Sequence, residues 1–272
     1  MRWPWSDSER KDTSRKWTDN LNSIDWEHFL EPRNAFFTGV GVFGTLGTIY
    51  FHKRFIRRIP SSGYIKPGFY RQRSLFGKVT SVGDGDNFRL FHTPGGRLTG
   101  WGWLPGRSVP TKREDLSNRT IHVRIAGVDA PELAHFGRPA QPHSEEALAW
   151  LKSYILNRRV RAYIYRRDQY DRVVATVWVR HWLFRKDIGL EMLKRGLATV
   201  YEAKFGSEFG EYEAKYREAE KKAKKNKIGM WAEPSVIARF LGKGSPAYES
   251  PRDYKTRMQS SQKDLGTAEV KK

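Results

Sequence analysis

The sequence predicts an α+β fold in which a five-stranded β-barrel carries about three helices and follows one transmembrane helix. Three observations support this prediction. Short apolar runs bounded by Gly, Asp and Pro are typical of the strands of a small barrel. Apolar residues at helical spacing precede the fourth strand and follow the fifth. An uncharged segment precedes all of these elements and is long enough to suggest a membrane span.

The uncharged segment comprises residues 35–51 and follows a polar segment, 1–34. As a helix, its 17 residues would reach about 25 Å, the short end of what crosses a bilayer. A buried core helix is the alternative interpretation. Segment 1–34 holds six basic and seven acidic residues, which is unlike a secretory signal or a cleaved mitochondrial presequence. Residues 52–73 are rich in Lys and Arg and contain Ser, Gly and Pro, which predicts a basic linker.

Periodic elements begin at about residue 75. Strands are predicted at 75–82, 87–91, 120–125, 160–165 and 173–179, and helices from Ser144 to about 155, from 188 to 196 and from 209 to 226. Ser144 is expected to cap the first of these helices. Residues 92–119 lack periodicity and predict a long loop, and the polar tail 244–272 predicts disorder. A helix before the fourth strand and helices after the fifth are typical of an OB-like barrel.

The composition limits the chemistry. The 272 residues carry a formal net charge of +20, which favours a polyanionic partner, either nucleic acid or an anionic membrane surface, although solubilising surface charge is the simpler interpretation. The chain has no cysteine, so disulfides, zinc–thiolate sites and a cysteine nucleophile are excluded. Any metal ion must therefore be bound by oxygen or histidine ligands.

Three carboxylates lie near predicted strand ends: Asp86, Asp129 and Glu132. Oxygen-only ligands are those that Ca²⁺ or Mg²⁺ requires. Asp84 lies close to Asp86 and is a further candidate ligand. The alternatives are structural, since Asp-Gly is a common hairpin turn and Asp129 precedes Pro131 in a turn-forming sequence.

Two arginines stand among apolar residues of predicted strands. Arg124 lies in HVRIAGV, and Arg172 opens RVVATVWV. A guanidinium in such surroundings needs an anionic partner because it does not release its proton. A phosphate group would suit both arginines, and a structural salt bridge to Asp or Glu is the alternative.

Five blocks in order resemble the staphylococcal (thermo)nuclease family: VGDGD, VRIAGVDAPE, DQYDR, LKRGLA and IGMW. The resemblance covers about 75–240, and we predict a nuclease-like domain at 74–243. The loop sequence GGRLTGWGWLP and the preceding uncharged segment resemble the fungal, membrane-anchored, mitochondrial branch of probable endonucleases. The resemblance therefore implies a single-pass membrane protein, with a mitochondrial location, that acts on DNA or RNA.

The resemblance also implies roles for individual residues. Asp86, Asp129 and the backbone carbonyl of Ala130 would hold Ca²⁺, and Glu132 would be the general base for the attacking water. Arg124 and Arg172 would stabilise the phosphate as charge develops, and Tyr170 matches a tyrosine of the substrate pocket. The family reaction leaves a 3′-phosphate and a 5′-hydroxyl.

The sequence departs from the bacterial pattern at several positions. Asn87 and Ala130 replace threonine, and Gln169 replaces a basic residue that helps to seat the terminal phosphate. Tyr201 is a possible stacking residue, but the sequence after residue 200 aligns poorly, so no role is assigned to it. Two alternatives to a nuclease remain: a non-catalytic nucleic-acid-binding module anchored to a membrane, and a membrane adaptor that uses only its basic linker. The oligomeric state is not indicated.

Overall fold

The structure is a computed structural model that describes residues 31–134, 138–201, 208–232, 253–254 and 256–257. Most of the polar segment 1–34 and of the predicted disordered tail 244–272 lies outside the described residues. The chain divides into two compact units, Met1–Phe55 and Ile56–Lys272.

The first unit contains helix α1, Pro32–Phe51, which begins with a proline in its first turn and buries none of its residues. The hydroxyl groups of Thr45 and Thr48 donate to the carbonyl oxygens of Gly41 and Gly44, each at 2.8 Å, so these side chains satisfy their polarity within the helix. A π-helical turn, His52–Ile56, follows. Over the described parts of the chain, no helix combines the length and the hydrophobicity that a membrane crossing demands.

The second unit is built on a barrel. Its strands are β1 (Ser74–Asp84), β2 (Asn87–His92), β3 (Ile121–Ile125), β4 (Val128–Asp129), β5 (Arg159–Arg167), β6 (Val173–His181), β7 (Phe184–Asp187) and β8 (Thr199–Val200). The antiparallel order β3-β2-β1-β5-β6 closes on itself because β3 also pairs with β6 in parallel. The closed ring is the predicted five-stranded barrel. Inward-facing residues such as Val79, Leu90 and Val123 are fully buried in its core.

Helices surround the barrel. They are α2 (Arg113–Leu116), α3 (Ser144–Ile155), α4 (Ile188–Lys194) and α5 (Glu213–Lys225). Helix α3 buries Ala147, Leu151 and Ile155, which lie on one face at helical spacing. Ser144 does not cap this helix as expected: it is the first helical residue, and His143 precedes it in a left-handed conformation with φ 65°.

Three short strands and several short helices of the described residues were not predicted. Strand β7 extends the sheet from β6, and β4 pairs with β8 outside the barrel. The predicted loop 92–119 contains a 3₁₀ helix, Gly96–Thr99, and helix α2. Two-residue strands have no periodicity to detect, so only the folded chain reveals them.

Residues 56–73, the larger part of the segment 52–73 that was expected to be a linker, pack on the barrel, and we refer to them as the strap. Ile59 and Ile65 are buried in the main core cluster. The backbone N–H of Ile59 donates to Nδ1 of His92 at 2.9 Å. The Ser62 hydroxyl donates to the Asp171 carboxylate at 2.7 Å. Apolar residues spaced among basic ones thus attach this segment to the second unit, and the division of the chain falls after Phe55.

Candidate active site

The tight turn between β1 and β2 positions the first carboxylate. The backbone N–H of Gly85 donates to Oδ1 of Asp84 at 2.7 Å, which stabilises the turn locally. Gly85 lies so close to Ala130 that a Cβ at position 85 would be 2.7 Å from the Ala130 Cβ. This close approach requires glycine and brings the turn against the segment after β3. As a result, Asp86 lies near Asp129, although 43 positions separate them in the chain.

Arg124, on β3, joins these two carboxylates. Its Nε donates to Oδ2 of Asp86 at 3.0 Å, and its Nη2 donates to Oδ1 of Asp129 at 3.1 Å. Its side chain is only 16% exposed. Burial alone would lower the pKa of Arg124, but the two carboxylates outweigh burial and raise that pKa, so the guanidinium remains charged.

An aromatic ring packs on the same guanidinium. The Arg124 Cζ lies 4.7 Å from the ring centroid of Tyr201, which directly follows β8. Strand β8 is held beside the site because the Thr199 hydroxyl donates to the carbonyl oxygen of Asp129 at 3.2 Å. A cation over an aromatic face is attracted by the ring quadrupole, so Tyr201 supports the orientation of Arg124.

The carboxylates fit a hard divalent cation in donor type. A guanidinium that binds one carboxylate at Nε and another at Nη2 holds the two carboxylates at neighbouring positions. Ala130, whose carbonyl is the third expected ligand, follows Asp129 and is 5% exposed. In the described parts of the chain, no three His, Asp or Glu side chains are gathered into a ready-made metal site. The residues present would therefore supply two carboxylates and a carbonyl, and water or substrate oxygens would complete the coordination.

The backbone of Glu132 is fixed by one buried glutamine. The Glu132 N–H donates to Oε1 of Gln141 at 3.1 Å, and the Gln141 N–H donates to the Glu132 carbonyl at 2.8 Å. Gln141 is 3% exposed, so this pair of bonds is shielded from water. Glu132 itself is half-buried, three positions after Asp129.

The second arginine, Arg172, directly precedes the neighbouring strand β6. The parallel register pairs Val123 of β3 with Val173 of β6, which places Arg172 at the start of β6 beside β3. The Asp168 carboxylate accepts from Nε of Arg172 at 2.7 Å and from the backbone N–H of Arg172 at 2.8 Å. Burial alone would raise the pKa of Asp168, but these bonds outweigh burial and lower that pKa.

Tyr170 completes the turn between β5 and β6. Its backbone N–H donates to Oδ1 of Asp168 at 2.9 Å, and its ring centroid lies 5.2 Å from the Arg172 Cζ. The Tyr170 side chain is 67% exposed. An exposed ring beside an arginine is available to stack on a nucleobase.

Asn87 and His122 extend the hydrogen-bonded network of Asp86. Nδ2 of Asn87 donates to Oδ1 of Asp86 at 3.3 Å, so the Asn87 Oδ1 faces Nε2 of His122 at 3.1 Å and accepts from it. Burial, with the charges of Arg89 and Arg172 acting in the same direction, lowers the pKa of His122 to about 4. His122 is therefore neutral at pH 7, with its proton on Nε2.

The structure brings most of the expected residues together. Asp86, Arg124 and Asp129 are in direct contact, while Arg172 and Tyr170 share the Asp168 turn on the adjacent strand. Sequence reasoning assigned no role to Asp168, His122 or Tyr201. Asp168 offered a signal, since it lies four positions before Arg172. The contact of Tyr201 with Arg124 depends on the pairing of β4 with β8, and no sequence signal indicates it.

Comparisons with known proteins place the chain in a family. Residues 122–233 match the family described as "Staphylococcal nuclease homologue", a range that contains Arg124, Glu132 and Arg172. The chain is 62% identical over 259 residues to "Probable endonuclease LCL3" of Pyricularia oryzae, covering 94% of this chain and 96% of that protein.

Two further relatives are equally similar. The chain is 64% identical over 245 residues to "Probable endonuclease lcl3" of Sclerotinia sclerotiorum, covering 90% of this chain and 89% of that protein. It is 59% identical over 266 residues to the protein of the same name in Pyrenophora tritici-repentis, covering 97% and 98%. Because relatives at this identity are matched almost end to end, the chain belongs to the staphylococcal-nuclease-like family, in the fungal branch that includes these proteins.

Proposed function

We propose that this protein is a Ca²⁺-dependent endonuclease that hydrolyses phosphodiester bonds of DNA or RNA and leaves 3′-phosphate ends. One observation carries the proposal. Two half-buried guanidinium groups lie side by side, that of Arg124 on β3 and that of Arg172 directly before the adjacent β6, and the carboxylates Asp86 and Asp129 bind the first of them. A site that only binds nucleic acid needs the cations and not the buried carboxylates.

The arginines supply charge where it develops. In each arginine, Nε donates to a carboxylate that fixes the orientation of the guanidinium: Asp86 for Arg124 and Asp168 for Arg172. Each guanidinium also has further N–H groups that can donate to phosphate oxygens. Guanidinium groups that are already oriented stabilise the transition state without reorganisation, which makes electrostatic preorganisation a large term in phosphoryl transfer.

Glu132 acts as the general base. It accepts a proton from a water molecule whose oxygen forms a bond to phosphorus. The bond from phosphorus to the 5′-oxygen breaks in line with this attack. The departing 5′-oxygen takes a proton from solvent water, and the products are a 3′-phosphate and a 5′-hydroxyl. The bonds to Gln141 fix the backbone from which the Glu132 carboxylate projects.

Ca²⁺ is the proposed metal because the donor set is flexible and oxygen-only. Asp86, Asp129 and the Ala130 carbonyl would hold it, and the bound ion would supply positive charge next to the phosphate. Mg²⁺ demands octahedral geometry, which this small set of loop and strand-end ligands does not impose, so we expect Mg²⁺ to be a poor substitute.

A metal-dependence assay tests the activity. With Ca²⁺ the full-length protein should cleave single-stranded DNA or RNA, and with chelator it should not. Glu132→Gln should lower turnover by about 10²- to 10⁴-fold while nucleic-acid binding remains, because a positioned base contributes that much to rate. Glu114→Gln makes the same change at an exposed residue of α2 and should have no effect.

Two outcomes contradict the proposal. Undiminished cleavage by Glu132→Gln would remove the base from the mechanism. Binding without cleavage by the wild-type protein, at any Ca²⁺ concentration, would support the non-catalytic module instead.

We further propose that residues 35–51 attach the protein to a membrane as a single pass, and that this membrane is mitochondrial. The attachment is supported by the 17 uncharged residues and by the exposed apolar side chains of α1, among them Phe36, Phe43 and Tyr50. The support for a mitochondrial location is the resemblance of the sequence to the mitochondrial branch of the family. Cell fractionation followed by alkaline extraction of the membranes tests both proposals. Recovery of the protein in the alkaline supernatant would contradict the membrane span, and recovery in a non-mitochondrial fraction would contradict the location.

A further inference from the structure

An apolar turn projects from the barrel far from the active site. Trp182, Leu183 and Phe184, at the turn from β6 to β7, are 86%, 78% and 72% exposed. These are three consecutive large apolar side chains in water. Isolated exposed apolar residues are ordinary, but a contiguous group marks an interaction surface.

The residues of this turn are not explained by turn formation. His181 pairs with Phe184, so Trp182 and Leu183 are the two central residues of a two-residue hairpin. Trp182 has φ 56°, at a position where such hairpins favour Gly, Asn or Asp. Tryptophan there is unfavourable both for the backbone and for hydration, so turn formation does not account for it.

Basic side chains flank the apolar turn on both strands. Arg180 pairs with Arg185, and Lys186 follows, and all three side chains are exposed. The proximity of Arg185 contributes, after burial, to lowering the pKa of Arg161 on β5. Large apolar residues flanked by positive charge are typical of a surface that enters an anionic bilayer interface.

A second apolar projection lies at the same end of the barrel. Leu98 and Trp103, in the segment between β2 and β3, are 96% and 67% exposed. Successive arginines at the start of β5 connect the two projections: Arg159 donates to the Trp101 carbonyl at 3.0 Å, and Arg158 donates to the Arg180 carbonyl at 2.6 Å.

The active site lies at the opposite end of the same strands. The turn that holds Arg172 joins the far ends of β5 and β6, and β5 has nine residues, so the two ends are separated by about 25 Å along the strand. If the apolar end of the barrel binds a partner surface, the catalytic end remains in solution and accessible to nucleic acid.

We propose that this end of the barrel, carrying Trp182, Leu183, Phe184, Leu98 and Trp103, docks on an anionic lipid bilayer. The apolar side chains enter the interface, and Arg180, Arg185 and Lys186 contact the headgroups. This docking belongs to the second unit and does not depend on the helix α1 or on the nuclease activity. A second copy of the chain is the competing occupant.

Site-specific fluorescence tests the proposal in the full-length chain. The natural sequence has no cysteine, so Leu183→Cys accepts a single environment-sensitive label. Gln169→Cys, exposed at the other end of the β5–β6 hairpin, is the matched control. With vesicles containing about one-third phosphatidylserine, the emission of the label at 183 should shift to shorter wavelength. Its quenching by aqueous iodide should decrease several-fold. The label at 169 should change in neither respect.

Charge and apolar contributions are then separated. Neutral phosphatidylcholine vesicles, or the combined change Arg180→Gln, Arg185→Gln and Lys186→Gln, should abolish most of the protection at 183. Trp182→Ser with Phe184→Ser should also abolish it, and this variant should cleave a short soluble oligonucleotide at the wild-type rate. Equal quenching at 183 and 169 on anionic vesicles would overturn the proposal. A spectral shift that needs no vesicles and grows with protein concentration would assign the surface to a second copy.

Discussion

Tyr201 illustrates how one residue takes its role from an unexpected pairing. Its ring lies against the guanidinium that binds both Asp86 and Asp129, and that guanidinium is largely buried. If the face of the Tyr201 ring orients Arg124, catalysis requires the aromatic ring and does not require the hydroxyl group.

We therefore expect Tyr201→Phe to keep near-wild-type turnover and Tyr201→Leu to lower it. A cation–π contact at a partly desolvated site contributes about 1–2 kcal/mol, which corresponds to roughly a 5- to 30-fold loss of kcat/KM. Steady-state kinetics on a fluorescent oligonucleotide measures both variants. If Phe and Leu are equally impaired, the hydroxyl and not the ring is the functional group.

Asp168 is the second residue whose role emerges from the structure. It accepts from the Arg172 guanidinium and from the backbone N–H groups of Tyr170 and Arg172, so one carboxylate orders the whole turn. Asp168→Asn retains the shape but offers one acceptor oxygen in place of two. We expect kcat to fall while the protein remains folded, and Asp171→Asn, more exposed on the same turn, is the control.

The kinetic pattern distinguishes positioning from simple loss of structure. Asp168→Asn with Arg172→Lys should be little worse than Arg172→Lys alone, because both changes act on the same guanidinium. Independent, additive losses in the double variant would show that Asp168 acts by another route.

At the scale of elements, the sequence predicted those strands and helices whose apolar residues recur periodically. All five barrel strands and α3 to α5 were expected within a few residues, because their apolar residues alternate or recur at helical spacing. Strand β7 was missed because its four residues, Phe184–Asp187, are exposed or half-exposed and carry no alternating pattern. The carboxylates were singled out because they lie near predicted strand ends, and the two arginines because they stand among apolar residues. The contact between Asn87 and His122 arises only when β2 pairs with β3.

One histidine at the end of β2 helps to hold the strap on the barrel. His92 is 6% exposed, and its Nδ1 accepts from the Ile59 N–H. Burial, reinforced by the charge of Arg58, lowers the pKa of His92 to about 4. Protonation would set an Nδ1–H against the Ile59 N–H and remove the bond.

The stability of the second unit should therefore fall as the pH decreases. An unfolded histidine titrates near pH 6.5, so the unfolded state takes up a proton first, and stability is lost between about pH 6.5 and 4. His92→Asn keeps an acceptor oxygen near the position of Nδ1 and cannot be protonated there. Thermal melts of this variant should depend less on pH across that window than those of wild type. Equal pH dependence in the two proteins would contradict the assignment, and His181→Asn, at an exposed histidine, is the control.

At the scale of the whole molecule, the boundary of the catalytic unit decides which fragment folds. The basic character of residues 52–73 suggested a solvated linker, but Ile59 and Ile65 of the strap are 8% and 7% exposed within the main core. Charge dominated the sequence pattern, while two apolar residues six positions apart determine the packing. A fragment that begins at 74 lacks both of them and also loses the Ser62–Asp171 bond beside the catalytic turn.

We expect a fragment of residues 56–245 to be markedly more stable than one of residues 74–245. Burying an isoleucine side chain contributes about 1.5–3 kcal/mol, so the two together contribute about 3–6 kcal/mol, a large part of the roughly 5–15 kcal/mol that keeps a typical domain folded. Urea or thermal unfolding of the two fragments measures the difference. In the longer fragment, Ile59→Ala with Ile65→Ala should reproduce much of the loss, while Tyr64→Ala, at a strap side chain that is 67% exposed, should not. If both fragments unfold at the same midpoint, the strap does not contribute to the core in solution, and the catalytic unit begins at β1.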